Sequence, residues 1–186
     1  MGELELTKEE LEYKIEIATQ TLDRNIGFVS NCDNKTSIAL TAFGVLLTLI
    51  LSGDGIQNLF SIITTCLSKP QPIDFFYLVS LCISASLTIF GIIKLGLVLV
   101  PSTSGQNTGT SLIFFSGIIK KKEHSTYQDS FRSMTREDLL NDLINEIYEN
   151  ADIATKKYMH YGTGLKLSSI GFVLFLIFYF LGINFY

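Results

Sequence analysis

Leu167–Tyr186 reads LSSIGFVLFLIFYFLGINFY, twenty consecutive positions without a charged residue. As an α-helix rising about 1.5 Å per residue, the stretch covers about 30 Å, the thickness of a bilayer's hydrocarbon. Phe75–Ile93 (FFYLVSLCISASLTIFGII) meets the same requirement. Thr36–Leu51 (TSIALTAFGVLLTLIL) is shorter, but a proline-free helical pattern precedes it, so one long helix carries it into and across the membrane. The reading is an all-α membrane protein: three transmembrane helices with a cytoplasmic bundle of amphipathic helices.

Composition agrees. A chain of 186 residues that is 47% hydrophobic, with a mean hydropathy of +0.35, has a bilayer as its solvent. The net charge of -4 excludes a nucleic-acid polymer as partner, because phosphate neutralisation needs an excess of Lys and Arg. Cys32, Cys66 and Cys82 are odd in number and lack metal-type spacing, which leaves no disulfide framework, metal site or cofactor to expect. The acidic start MGELELTKEELEYK has no basic n-region or short apolar core, so a cleaved signal peptide is not expected.

Positive charge sets the orientation. With the N-terminal arm and the stretch between spans two and three inside, every Lys and Arg except Lys69 lies in the cytoplasm or at its boundary. The expected topology is N-terminus in, C-terminus out. The parts are then 1–35, an amphipathic helix leading into span one; 36–99, a hairpin of two spans with an outer loop at 52–74; 100–162, a cytoplasmic loop and amphipathic helix; and 163–186, the third span. Within the outer loop, Ile56, Leu59, Phe60, Ile63 and Leu67 recur at helical spacing, predicting an interfacial helix ended by Pro70 and Pro72.

Leu11, Ile15, Ala18, Leu22, Ile26 and Val29 make one apolar stripe, opened by a Thr7/Glu10 capping box. Leu140, Leu143, Ile147, Ala151, Ala154 and Tyr158 make a second, opened by Thr135 and Asp138. Stripes of one period predict packing of the two helices, for instance of Ile15 near Ile147, and so a coupling of the bundle to spans one and three. The acidic residues on these helices, Glu146 among them, read as solvated or bundle faces.

Between span two and the second stripe, the polar run PSTSGQNTGTS is a flexible loop or an anion nest. The basic cluster Lys120, Lys121, Lys122 suits acidic lipid headgroups or a phosphate ligand. Phe114 and Phe115 beside it suit a core position or stacking on a base. His124 and His160 stand alone, and no nucleophile elbow, zinc motif, P-loop or kinase signature is present, so the chain does not read as an enzyme.

RNIGFVSNCDNKTSIALTAFGVLLTLIL, with Asp33, Lys35 and Thr36 in an aspartate, any residue, lysine, small-residue pattern, resembles the opening of the Pycsar effector transmembrane domain family. Thr36 stands where alanine is usual. Phe114, Phe115, Tyr127, Ile153, Ala154, Lys157 and Tyr158 match the family's later pattern in order. The resemblance implies a bacterial anti-phage effector: a neighbouring cyclase makes a cyclic pyrimidine mononucleotide on infection, and the effector impairs the inner membrane in abortive infection. Under that reading Lys120, Lys121, Lys122, Arg132 and Arg136 supply charge for the phosphate and Phe115 or Tyr127 stacks on the base. Homo-oligomerisation is expected, with Gly44, Ser84, Ala85, Ser86 and Gly91 allowing close helix approach. The alternatives are a scaffolding membrane protein that recruits a cytoplasmic partner and a constitutive small pore-forming toxin.

Overall fold

The computed structural model describes residues 7–68, 71–101, 111–121 and 123–185, without the side chains of 115 and 116. The described residues form α1 (Lys8–Leu51), α2 (Gly55–Ser68), α3 (Pro72–Leu99), α4 (Phe115–Lys120), α5 (His124–Arg132) and α6 (Arg136–Phe185). Three of these, α1, α3 and α6, are long and apolar enough to cross a membrane. Their most apolar 18-residue windows are only 11%, 22% and 33% buried within the chain. Side chains such as Ile38, Leu49, Phe76 and Ile89 therefore face outward, and lipid is what covers them.

Both expected capping boxes form. The Thr7 N–H donates to Glu10 Oε2 at 2.9 Å and the Glu10 N–H to Thr7 Oγ1 at 3.3 Å. At the start of α6 the Thr135 N–H donates to Asp138 Oδ2 at 2.9 Å and the Asp138 N–H to Thr135 Oγ1 at 3.1 Å. Each pair satisfies amide donors that the first helical turn leaves open. α1 ends before Gly53, whose φ of +59° is the left-handed conformation glycine adopts without a side-chain penalty. Pro72 then opens α3, where the Gln71 N–H donates to Asp74 Oδ2 at 3.0 Å. The second stripe, expected to feed directly into the third span, runs on into it as one helix of 50 residues. The expected loop before it contains α4 and α5, which are too short to show an apolar period.

The chain divides into two compact units. Unit 1 comprises Met1–Asn31 and Pro101–Lys156. Here α1 turns Leu11, Ile15, Ala18, Leu22, Asn25 and Val29 inward, alternating steps of four and three residues. Steps that alternate in this way keep a seam on the partner helix. Ile26, expected on the stripe, is 49% exposed; a second step of four carries it off the seam. Asn25 takes its place, and its Nδ2 donates to the Ile147 carbonyl at 3.3 Å. With Glu12 paired to Arg136, α1 and α6 run parallel at offsets of 124 and 122 residues. The two stripes do meet, but in this register Ile147 lies against Asn25 rather than Ile15.

Unit 2 comprises Cys32–Val100 and Lys157–Tyr186. Phe43, Leu95 and Phe172 centre its core, with the two phenylalanines edge-to-face at 5.9 Å. Helices α3 and α6 touch along small residues. A Cβ on Gly91 would lie 2.3 Å from the Ser168 amide nitrogen, and one on Gly171 would lie 2.6 Å from that of Thr88. Ser84 and Gly91, expected to mediate self-association, are thus buried within the chain, whereas Gly44 and Ser86 are exposed. α2 buries Gly55, Ile62 and Cys66, packed on Tyr179, Tyr77 and Leu78. The expected stripe residues Ile56, Phe60 and Leu67 face away, each more than 60% exposed. This helix is apolar on both sides, and the reach of the two tyrosines decides which side is buried.

Candidate functional site

In unit 1 a single carboxylate organises the segment that leads into α4. Asp142 Oδ2 accepts from the Leu112 N–H at 2.8 Å and from Ser111 Oγ at 3.1 Å. Ser111 Oγ in turn accepts from the Phe114 N–H at 3.1 Å. The Tyr127 hydroxyl, from α5, donates to the Leu112 carbonyl at 3.1 Å. The turn before α4 is therefore clasped from two sides, by α6 and by α5. A short helix with little intrinsic stability of its own depends on such contacts.

Around this clasp the structure gathers part of the expected ligand set. Lys121 is half-buried, with Nζ at 3.5 Å from Ser130 Oγ, one turn from Tyr127 on α5. The Tyr127 ring leans on Phe131 at 5.9 Å between centroids. Lys120 and Arg132 are exposed in the last turns of α4 and α5. Phe115 opens α4, while Lys122 and the polar run at 102–110 lie outside the described residues. Arg136 is engaged elsewhere, paired with Glu12, whose carboxyl that partner holds below its usual range.

Glu146 does not fit a solvated face. It is 3% exposed, and its Oε1 has no hydrogen-bond partner among the described residues. Burial pushes its carboxyl up from the ordinary 4.5 to about 7, with repulsion from Glu149 and Asp142 adding to the effect. The sequence did carry a signal for it. Glu146 stands three residues after Leu143 and beside Ile147, on the inward side of the second stripe, but its charge argued for solvent. A buried carboxyl poised near neutral pH changes charge in response to small changes around it.

In unit 2, Lys157 Nζ meets Asp33 Oδ1 at 2.6 Å, with the lysine side chain 11% and the aspartate 36% exposed. These are two of the positions on which the resemblance was argued, and a shielded ion pair now joins them. Thr36, one turn on, is fully buried and donates its hydroxyl to the Cys32 carbonyl at 2.8 Å. Tyr158, expected on the stripe, is 37% exposed, and Lys157 holds the inward position. No group of three His, Cys, Asp or Glu suited to a metal occurs among the described residues.

The family model for the Pycsar effector protein domain matches residues 17–183. The chain belongs to the Pycsar effector family. A curated relative, the Pycsar effector protein GmPycTM of Gulbenkiania mobilis, is 27% identical over 176 residues, covering 87% of this chain and 89% of that protein. No solved structure matches the chain. Three membrane-length helices and this membership make the chain a membrane protein and an anti-phage defence effector. In this Pycsar effector the matched region takes in the Asp142 clasp, Glu146 and the Asp33–Lys157 pair.

Proposed function

We propose that this effector binds a cyclic pyrimidine nucleotide on the cytoplasmic side, oligomerises, and impairs the inner membrane so that the infected cell dies or stops growing. The observation that carries the reading is the sharing of two helices: α1 and α6 each supply residues to unit 1 and, without a break, apolar residues to unit 2. A messenger that altered packing in unit 1 would act on the same helices that face lipid. Lys120, Lys121 and Arg132 offer charge to the phosphate, and Tyr127 offers a ring to the base. Phe115 and Lys122 join the set from the sequence, and Arg136 joins if it exchanges Glu12 for phosphate.

The test is dye release from proteoliposomes with and without cyclic CMP and cyclic UMP. Release on adding one of them is expected, lost in an Arg132→Glu variant that still inserts. Release without ligand would replace this reading with a constitutive toxin, and no release under any condition would favour a scaffold. For the expected topology, with the N-terminus inside and the C-terminus outside, a reporter fused after Tyr186 should be active only outside the cytosol.

A further inference from the structure

Among the described residues, Glu146 Oε1 is the only buried side-chain oxygen or nitrogen without a hydrogen bond. Folded proteins leave few such groups, because each forfeits its hydration and gains nothing in return. Its neighbours in unit 1 do not account for it. The offset of 124 residues sets Leu22 of α1 level with it, between Ala18 and Asn25, and none of the three titrates. The two amides nearby are spent on backbone, Asn25 on the Ile147 carbonyl and Asn150 on the carbonyl of Glu146 itself. The charges that act on it, Glu149 and Asp142, are both acidic. Asp142 is one helical turn away and holds Ser111 and Leu112, and the Leu112 carbonyl takes the Tyr127 hydroxyl. The orphan oxygen therefore belongs to a carboxyl one turn along α6 from the clasp, with half-buried Lys121 on the far side of Tyr127, against Ser130.

Burial and the two acids keep this carboxyl protonated up to about pH 7. A protonated carboxyl sets one O–H donor beside one carbonyl acceptor. A pyrimidine presents the complement of that pair on one edge: in cytosine N3 accepts beside an N4–H that donates, and in uracil O4 accepts beside the N3–H. We infer that Glu146 reads the base of the messenger, its carboxyl donating to N3 of cytosine or O4 of uracil and accepting from the adjacent N–H. This rests on the ligand proposed above, and it leaves Lys121 to the phosphate and Tyr127 to the face of the ring. Glu146 is 3% exposed, so a base reaches it only where packing in unit 1 has parted. The orphan oxygen gains its partner in that parted arrangement alone, and a ligand shifts a protein towards the arrangement it binds better. Reading the base and disturbing α6 are then one event.

Equilibrium dialysis of the full chain in detergent against radiolabelled cyclic CMP and cyclic UMP, at pH 6 and pH 8, tests the assignment. Only the protonated carboxyl offers the donor, so the nucleotide that binds should bind about tenfold more weakly at pH 8 than at pH 6. Glu146→Gln keeps a donor beside an acceptor and does not ionise; it should bind at both pH values with that drop removed. Glu146→Met fills the space without polar atoms, and should bind about fivefold or more weakly than the unaltered chain at pH 6. It also decides the matter should the glutamine variant fail to fold. Equal binding by the unaltered chain at both pH values would overturn the assignment and leave the nucleotide reading standing, as would a tenfold drop retained in Glu146→Gln or full affinity in Glu146→Met. No binding of either nucleotide at either pH would overturn both.

Discussion

Replacing Glu146 by glutamine should remove a pH dependence from unit 1. The unfolded chain releases this proton near 4.5 and the folded chain near 7. Between those values the folded state holds a proton that the unfolded state has lost, so stability falls as pH rises and levels off once the folded group has ionised. Each pH unit separating the two values is worth about 1.4 kcal/mol, which brings the loss to about 3 kcal/mol. Glutamine is of the same size and stays neutral, so the variant escapes this loss. Hydrogen exchange read by mass spectrometry over the Leu143–Ile147 amides, corrected for intrinsic rates, gives the opening free energy from pH 5 to pH 8. Subtracting the Glu146→Gln curve from that of the unaltered chain cancels every contribution that the two chains share. The difference should fall by about 3 kcal/mol over the range, a substantial share of a typical domain's stability. Two curves of equal slope would refute the argument, since a carboxyl with that behaviour must be solvated or partnered when folded.

Gly171→Leu sets a side chain against the α3 backbone and should cost about 1–3 kcal/mol or more, read as a lower thermal midpoint in detergent, while Gly44→Leu, which meets open space, should leave it unchanged. Lys157→Met strands the Asp33 charge and should destabilise unit 2 by about 1–3 kcal/mol, less than a fully buried pair because Asp33 is partly exposed. The swap Asp33→Lys with Lys157→Asp should recover part of that loss in the same melt. In a background with Cys32, Cys66 and Cys82 replaced, cysteines at Asn25 and Ile147 should form a disulfide under mild oxidant, seen as a gel shift after proteolysis between them, whereas cysteines at Ile15 and Ile147 should not.

Uncharged runs of membrane length, hydroxyl and acidic residues spaced to cap helices, and the shared period of two stripes made the helical membrane architecture legible in the sequence. The inward positions were less so, for one physical reason. Choosing apolar residues selected Ile26 and Tyr158 over Asn25 and Lys157, yet a seam of alternating three- and four-residue steps admits a polar side chain when a carbonyl or carboxylate waits across it. Glu146 was missed in the same way. A sequence gives the angular position of a side chain on its helix but not whether the opposing helix offers it a partner. Gly91 and Ser84 show the complementary difficulty, since small residues announce close approach without saying which helix comes close. The basic and aromatic residues of α4 and α5 were chosen by chemistry and by family likeness; their clasp depends on Asp142, thirty residues further along, which no local pattern connects to Leu112.

The hydroxyls along the glycine contact in unit 2 have a consequence for motion. Ser84, Thr88 and Ser168 each donate to a carbonyl of their own helix, so drawing α3 and α6 apart there strands no donor in hydrocarbon. The Tyr77 phenol does reach across, to the Phe178 carbonyl at 2.7 Å, but it does so near the start of α3. Among the described residues the two helices are riveted at one end and, along the glycine contact, held by close fit alone, so that parting them there would break packing and no hydrogen bond between them.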